Sequence, residues 1–375
     1  MKKILVISVT PVPPIHAGNQ KCIMEYCNIL KKIGCTIYFL YIEGRHRTPI
    51  EMHSYWGDHL FIYKKKMLLE LPKRMFVTIR AKLLGHNYID DLYPIGLTKY
   101  VRSIQKKIKF DGIIINYLIL SKLFNAELKC RKFLFAHDCM TFKKAHLGVT
   151  SFWFDLTPNQ EAKGLQRCET ILSIQENESV FFQYLHPKGH ILTVYSSFKV
   201  QRQPIIGNKN ILFLSGTSTL NINGLNFFIN KIFPLVLQKE PEAKLIIGGS
   251  ICDVLPKTTD NSIVQIGKVE SAEQFYALGD IAINPVYQGT GLKIKTFEAL
   301  SYGKVTIVHP HSAEGIYNKV YAPIIQGETP ISFANHLVEV LSNVNIRKEY
   351  SDKAIEYICS LNEYIEMQYR KMIAQ

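Results

Sequence analysis

The stretch Ile281-Ala282-Ile283-Asn284-Pro285, then Gly289-Thr290-Gly291-Leu292-Lys293-Ile294-Lys295-Thr296-Phe297-Glu298-Ala299-Leu300-Ser301-Tyr302-Gly303, then Val305-Thr306-Ile307-Val308, decides the fold. An apolar run ends in Asn-Pro, a glycine loop follows, a helix is expected over 293–302, and a second apolar run closes the unit. Strand, loop, helix, strand is the rhythm of a parallel sheet. The same stretch carries chemistry. Glycines let a backbone approach a ligand, and a helix start offers free N–H groups to an anion. Lys293 and Lys295 stand where the helix dipole disfavours a cation. An anion in front of the helix accounts for both; a plain surface role is the alternative.

Working outward, the rhythm fills the chain. In the first half, strands are expected at 3–9, 36–41, 112–115, 132–136, 170–174 and 191–194, with a Pro/Gly loop over 10–19 and a helix over 20–33. Residues 50–105 read as irregular helices. A polar segment, 201–209, holds Pro204 and Gly207 and reads as a linker. The pattern then restarts, with strands at 211–214, 244–247, 263–266, 281–284 and 305–308. Between them come a loop at 216–224 and helices at 225–238 and 273–278. The tail from 330 is helical. The expected fold class is α/β, two Rossmann-like doubly wound domains over 1–200 and 201–345, with a tail over 346–375 packing back toward the first. Most strands of the second half end in Gly or Asn, and ligands of such sheets gather outside the carboxyl ends of the strands.

With 47% hydrophobic residues in 375, there is material for two cores. The first apolar run ends at Pro11, Pro13 and Pro14, which suits a buried strand better than a signal peptide. Eight cysteines without a C-x-x-C pair read as reduced structural thiols in a cytoplasmic protein. The net charge of +14 is lopsided. Residues 1–200 hold 29 Lys and Arg against 15 Asp and Glu, whereas 201–375 hold 16 against 16. Lys64-Lys65-Lys66-Met67-Leu68-Leu69, Lys73-Arg74-Met75-Phe76-Val77 and Arg80-Ala81-Lys82-Leu83-Leu84 interleave charge with large apolar groups. Such a surface suits the anionic inner face of a plasma membrane; a solvated basic helix face is the other reading. No nucleic-acid-binding motif accompanies the charge, so nucleic acid is not an expected partner.

Several motif classes are absent. There is no G-x-x-x-x-G-K-[ST], no G-x-G-x-x-G after the first strand, no G-x-S-x-G, no H-E-x-x-H and no D-x-D. Nicotinamide dehydrogenases and P-loop kinases are disfavoured on that ground.

The ordered series in the second half resembles the nucleotide-sugar domain of GT-B glycosyltransferases, in particular the retaining family-four group (glycosyl transferases group 1). It runs Phe213-Leu214-Ser215-Gly216, Asn221 to Phe228 with Pro234, Pro241 to Gly248, Val264 to Val269, Asp280 to Pro285, Gly289 to Lys295, Glu298-Ala299-Leu300, Gly303-Lys304 and Glu314-Gly315. The first half resembles the acceptor domain more loosely, through 3–9, Pro13 to Gly18 and His137-Asp138. The resemblance implies transfer of a sugar from a nucleoside-diphosphate sugar, with retention and without a metal or other cofactor. The acceptor would be a glycan or lipid-linked intermediate of an envelope polysaccharide such as lipopolysaccharide, capsule or exopolysaccharide.

It also implies roles. Glu298 matches the glutamate that holds the donor ribose; pairing with Lys295 one turn back is the alternative. Gly291 and Leu292 would offer N–H groups to the diphosphate, Val269 would touch the base, and Gly18 and Gly216 would let loops approach. Each glycine could equally be a turn. The glutamate expected seven residues before Glu298 is replaced by Thr290, and the usual Arg/Lys pair is missing from 218–223. Lys293 and Lys295 are the natural substitutes at the leaving diphosphate, with Lys293 among the catalytic candidates. His137 and Asp138, after the strand over 133–136, are the other catalytic candidates, facing the expected interdomain cleft; helix capping is the alternative for Asp138. His16, Arg45 and Arg47 are acceptor-side candidates. Two other readings of the same fold stay open, a nucleotide-sugar epimerase or phosphorylase and a non-catalytic binding subunit of a partner transferase.

Overall fold

A computed structural model describes residues 1–15, 18–44, 48–150, 152–289 and 291–374. The candidates His16, Arg45, Arg47 and Thr290 lie outside the described residues. The chain divides into two units, Met1–Ser196 with Ile365–Gln375, and Ser197–Tyr364.

In the first unit the strands are β1 (Lys3–Ser8), β2 (Thr36–Glu43), β3 (Leu60–Lys64), β4 (Gly112–Asn116), β5 (Arg131–Ala136), β6 (Thr170–Ser173) and β7 (His190–Thr193). The helices are α1 (Gly18–Lys32), α2 (Ile50–Trp56), α3 (Met67–Leu84), α4 (Leu97–Ile108), α5 (Lys143–Leu147), α6 (Pro158–Leu165) and α7 (Glu176–Leu185). The sheet is all parallel in the order β3-β2-β1-β4-β5-β6-β7. Its apolar strands are buried on both faces, as Ile4 to Ile7 and Ile113 to Ile115 show. The expectation of irregular helices over 50–105 is met in part by α2, α3 and α4, but β3 also lies there, its Tyr63 in one buried cluster with Leu97 and Val101 of α4. A strand this short at a sheet edge gives a weak alternation signal.

The second unit repeats the design. Its strands are β8 (Asn210–Leu214), β9 (Lys244–Gly248), β10 (Ile263–Gly267), β11 (Ile281–Asn284), β12 (Val305–Val308) and β13 (Ile324–Gln326). Its helices are α8 (Thr219–Phe227), α9 (Phe233–Lys239), α10 (Ala272–Tyr276), α11 (Ile294–Ser301) and α12 (Pro330–Ser342); the last helix, α13 (Val344–Ala374), begins here and ends in the first unit. The sheet is again parallel, in the order β10-β9-β8-β11-β12-β13. A π-helical turn, Phe228–Ile232, joins α8 to α9. The loop expected over 216–224 is cut short, because the Ser218 hydroxyl accepts from the Asn221 N–H and starts α8 at Thr219. The expected helix over 293–302 begins one residue later, leaving Lys293 at its N-cap.

Strand order reverses direction between β1 and β4 in the first sheet and between β8 and β11 in the second. Ligands of doubly wound sheets bind at these points, outside the carboxyl ends of the strands. Both ends hold the residues singled out from sequence.

Candidate functional site

In the second unit, β8 runs into the buried Ser215 and the exposed Gly216. Gly249, just past β9, has φ of 96°, and a Cβ there would stand 2.3 Å from the Ser215 carbonyl oxygen. Only glycine lets these two loops approach so closely. Past β11, Gly289 and Gly291 also take left-handed conformations, with φ of 105° and 82°. The buried Asn284 at the end of β11 donates its amide to Thr296 Oγ1 at 2.9 Å, which ties the strand end to the first turn of α11.

That framework sets the lysines. Lys293 Nζ donates to the carbonyls of Gly289 (3.3 Å) and Gly291 (3.2 Å), so its ammonium folds back over the glycine loop. Lys295 Nζ donates to Ser215 Oγ at 3.2 Å and Asn221 Oδ1 at 2.5 Å and lies 5.0 Å from the Phe213 ring centroid. Burial, and then the charge of Lys293, lower the Lys295 pKa to about 7, against the pull of Glu298. Lys295 thus points to the loop after β8 and the start of α8. The hydroxyl of buried Tyr276 faces Glu298; burial, and then that carboxylate, hold the phenol well above its ordinary pKa. Val269 follows β10 and packs toward Gly248.

Beyond β12, His311 Nε2 donates to the Gly289 carbonyl at 2.8 Å, and its Nδ1 lies 3.3 Å from Glu314. Its backbone N–H donates to His309 Nδ1 at 3.2 Å, and Ser312 Oγ donates to the Val286 carbonyl at 2.6 Å. The histidine turn therefore braces the glycine loop from behind. Sequence reasoning passed over it, although it follows a strand end as the glycine loop does.

In the first unit, α1 opens at Gly18 beyond the carboxyl end of β1. Asn19 donates to the Tyr117 hydroxyl at 2.7 Å. Tyr117 follows β4 with φ of 71°, and its ring stacks on His137 at 4.4 Å. The buried Asn116 donates to the Ile7 carbonyl at 3.2 Å, which turns its Oδ1 toward His137 Nε2, 2.9 Å away. Burial pushes the His137 pKa down to about 3, so the imidazole is neutral, with its proton on Nε2.

Asp138 pairs through Oδ2 with Lys143, a buried lysine at the start of α5, and caps no helix. The buried Glu178 accepts from Gln175 at 3.1 Å, and burial, followed by the Asp138 charge, raises its pKa to about 8. Asp138 Oδ1 and Glu178 Oε2 are buried without a hydrogen-bond partner among the described residues. Glu161 receives bonds from the Met140 N–H (2.9 Å) and the Thr141 hydroxyl. Asn116, Lys143 and Glu178 carry no motif signal and were not anticipated.

Each unit thus gathers its own set: Ser215, Gly216, Asn221, Gly291, Leu292, Lys293, Lys295 and Glu298 in the second, Gly18, His137 and Asp138 in the first. The second set is suited to an anion, with two lysines and a helix start at one strand end. No group of three or more His, Cys, Asp or Glu among the described residues is arranged to hold a metal ion.

Residues 208–343 match the family described as "Glycosyl transferases group 1". The chain is 24% identical, over 96% of both chains, to a Klebsiella pneumoniae protein described as an uncharacterized 44.6 kDa protein in the cps region. Among solved structures it is similar to TarM, with a TM-score of 0.70 and 12% identity, covering 100% of this chain and 99% of the other. HepE of Anabaena, solved with UDP and glucose, gives 0.62 and 12%, covering 100% of both chains. The pneumococcal O-GlcNAc transferase GtfA, solved with UDP and GlcNAc, gives 0.63 and 10%, covering 100% of this chain and 98% of the other. Residues 208–343 are thus similar to the glycosyl transferases group 1 family, and the chain shares the two-domain α/β GT-B fold of these solved structures.

Proposed function

We propose that the chain moves a sugar from a nucleoside-diphosphate sugar to a glycan or lipid-linked acceptor in envelope polysaccharide synthesis, with retention and without a metal ion. The observation that carries this is the pairing of Lys293 and Lys295 at the head of α11 with the glycine turns after β8, β9 and β11. The relative in a cps region supports a polysaccharide setting. The UDP in the HepE and GtfA structures makes uridine diphosphate the first donor nucleotide to test.

In this reading the diphosphate lies before α11, held by the N–H groups of Gly291 and Leu292 and by the two ammonium groups. In the sequence, Thr290 takes the position where the family has a glutamate. Glu298 takes the ribose hydroxyls, Val269 meets the base, and Gly216 lets its loop approach. As the glycosidic C–O bond breaks, negative charge grows on the departing diphosphate, and the lysines stabilise it. The acceptor oxygen bonds to the anomeric carbon on the same face, and its proton passes to the leaving phosphate. The protein supplies the cationic charge, which is why no metal is required. The first unit takes the acceptor: Gly18 leaves room at the head of α1, the neutral His137 and the carboxylate of Asp138 contact hydroxyls, and the basic residues of 1–200 face an anionic membrane.

Donor screening by mass spectrometry tests this. One nucleotide sugar should be consumed, with slow hydrolysis in the absence of acceptor, unchanged by a divalent-metal chelator. Thr290 in place of the family glutamate favours a second reading, a binding subunit without catalysis; that protein would consume none of the sugars.

A further inference from the structure

Helix α3 is built inside out. Glu70, Lys73, Val77 and Arg80 share the face turned to the protein. Glu70 accepts the Ile95 N–H at 2.7 Å, Lys73 donates to the Tyr93 carbonyl, and Arg80 pairs with Asp91. Val77 is the one apolar residue buried on that face. The opposite face carries Leu68, Met75, Phe76, Ile79 and Leu83, which are 59–86% exposed. An ordinary surface helix has the reverse polarity. Ion pairs and hydrogen bonds hold α3 to its unit, and the apolar stripe is left outward, larger than scattered surface apolar residues would make it.

The charges around the stripe are of one sign. Lys64 and Lys66 precede the helix, Arg74 and Lys82 lie on its flank, all exposed, and its single acid, Glu70, is buried. Arg74 and Lys82 also line a cavity of about 500 Å³ with Trp153, which is 54% exposed. Apolar stripe, basic rim and an indole beside them form the pattern of a helix that lies in a membrane interface. A second copy docking through the same stripe would bring these cations against their own equivalents, so the charge argues for an anionic partner.

We propose that α3 docks the chain on an anionic lipid bilayer, with the apolar face among the acyl chains and the lysines and arginines at the headgroups. This deepens the membrane part of the functional reading by giving it a structural element, and nucleotide binding provides an independent control.

Flotation of the full chain tests it, with vesicles of phosphatidylcholine alone and of phosphatidylcholine with about one third phosphatidylglycerol. The expected result is binding at least about tenfold tighter to the anionic vesicles, weakened by salt. A blue shift of Trp153 emission should accompany it, since the other tryptophan, Trp56, is already buried. The combined L68S/F76S/I79S variant and the combined R74E/K82E variant should each lose about tenfold or more, with UDP binding and melting temperature unchanged. Equal binding to both vesicle types, or wild-type binding by the triple variant, overturns the proposal. So does a dimer in solution that the triple variant dissolves, which would assign the stripe to a second copy.

Discussion

Lys295 offers a sharp test of the donor site through its proton. With a pKa near 7 it is mostly neutral at pH 8.5, about 3% charged. A diphosphate placed against it favours the ammonium form and raises the pKa toward the ordinary lysine value of 10.5. The complex is then protonated where the free protein is not, so binding at pH 8.5 takes up close to one proton. By linkage, affinity is full below pH 7 and falls about tenfold per pH unit above it, until the pKa of the complex is reached. A nucleotide sugar is the right ligand, because its phosphates are both esterified and lack the second ionisation of a terminal phosphate, near pH 6. Calorimetric titration with UDP-glucose or UDP-GlcNAc in buffers of different ionisation enthalpy measures the uptake. K295R should bind with no uptake and a flat profile. K295M should bind weakly at pH 6.5 and differ little from wild type at pH 9. Wild-type binding without proton uptake at pH 8.5 would refute the placement of the diphosphate beside Lys295.

Gly249→Ala forces a methyl against the Ser215 carbonyl at an unfavourable φ; it should cost about 2 kcal/mol in urea unfolding and weaken nucleotide binding through the loop after β8. Arg347 is fully buried, bonded to Asp280 (2.9 Å) and to the carbonyls of Asn208 (2.7 Å) and Val340 (2.8 Å). Removing it strands the Asp280 charge, so Arg347→Met should cost about 3–5 kcal/mol in the same measurement, and a loss below 1 kcal/mol would show the pair to be dispensable. His137 has a folded-state pKa far below its ordinary value of 6.5. Its contribution to stability is therefore present above pH 6.5 and is lost as pH falls from there toward 3. By pH 5 about 2 kcal/mol should be gone relative to His137→Asn, and NMR should show the imidazole failing to titrate between pH 5 and 8.

The sheets were legible because most buried parallel strands are short apolar runs, several of them closed by Gly, Asn or Pro, as in Ile281 to Pro285. Two strands escaped for local reasons. Ile324–Gln326 is three residues long, and Leu60–Lys64 runs straight into a lysine cluster that reads as helix or loop. The lysines at the head of α11 were legible from their conflict with the helix dipole. Their partners were not: Ser215 and Asn221 stand 80 and 74 residues from Lys295, and only the pairing of β8 with β11 brings them near. The same holds for Asn116, which orients His137 from a different strand. In α3 the interleaving of charge and apolar groups could be read directly. Which face turns inward is set by Asp91, Tyr93 and Ile95, and a helix pattern read alone cannot show that.

The central claim is that the loop between β11 and α11 grips a nucleoside diphosphate, and a crystal structure of the chain with UDP tests it most directly. The account predicts the diphosphate oxygens within hydrogen-bond distance of Lys295 Nζ and the Gly291 and Leu292 N–H groups, with the ribose hydroxyls on Glu298. UDP bound elsewhere, or a ribose pointing away from Glu298 with both lysines still holding protein carbonyls and amides, would contradict it.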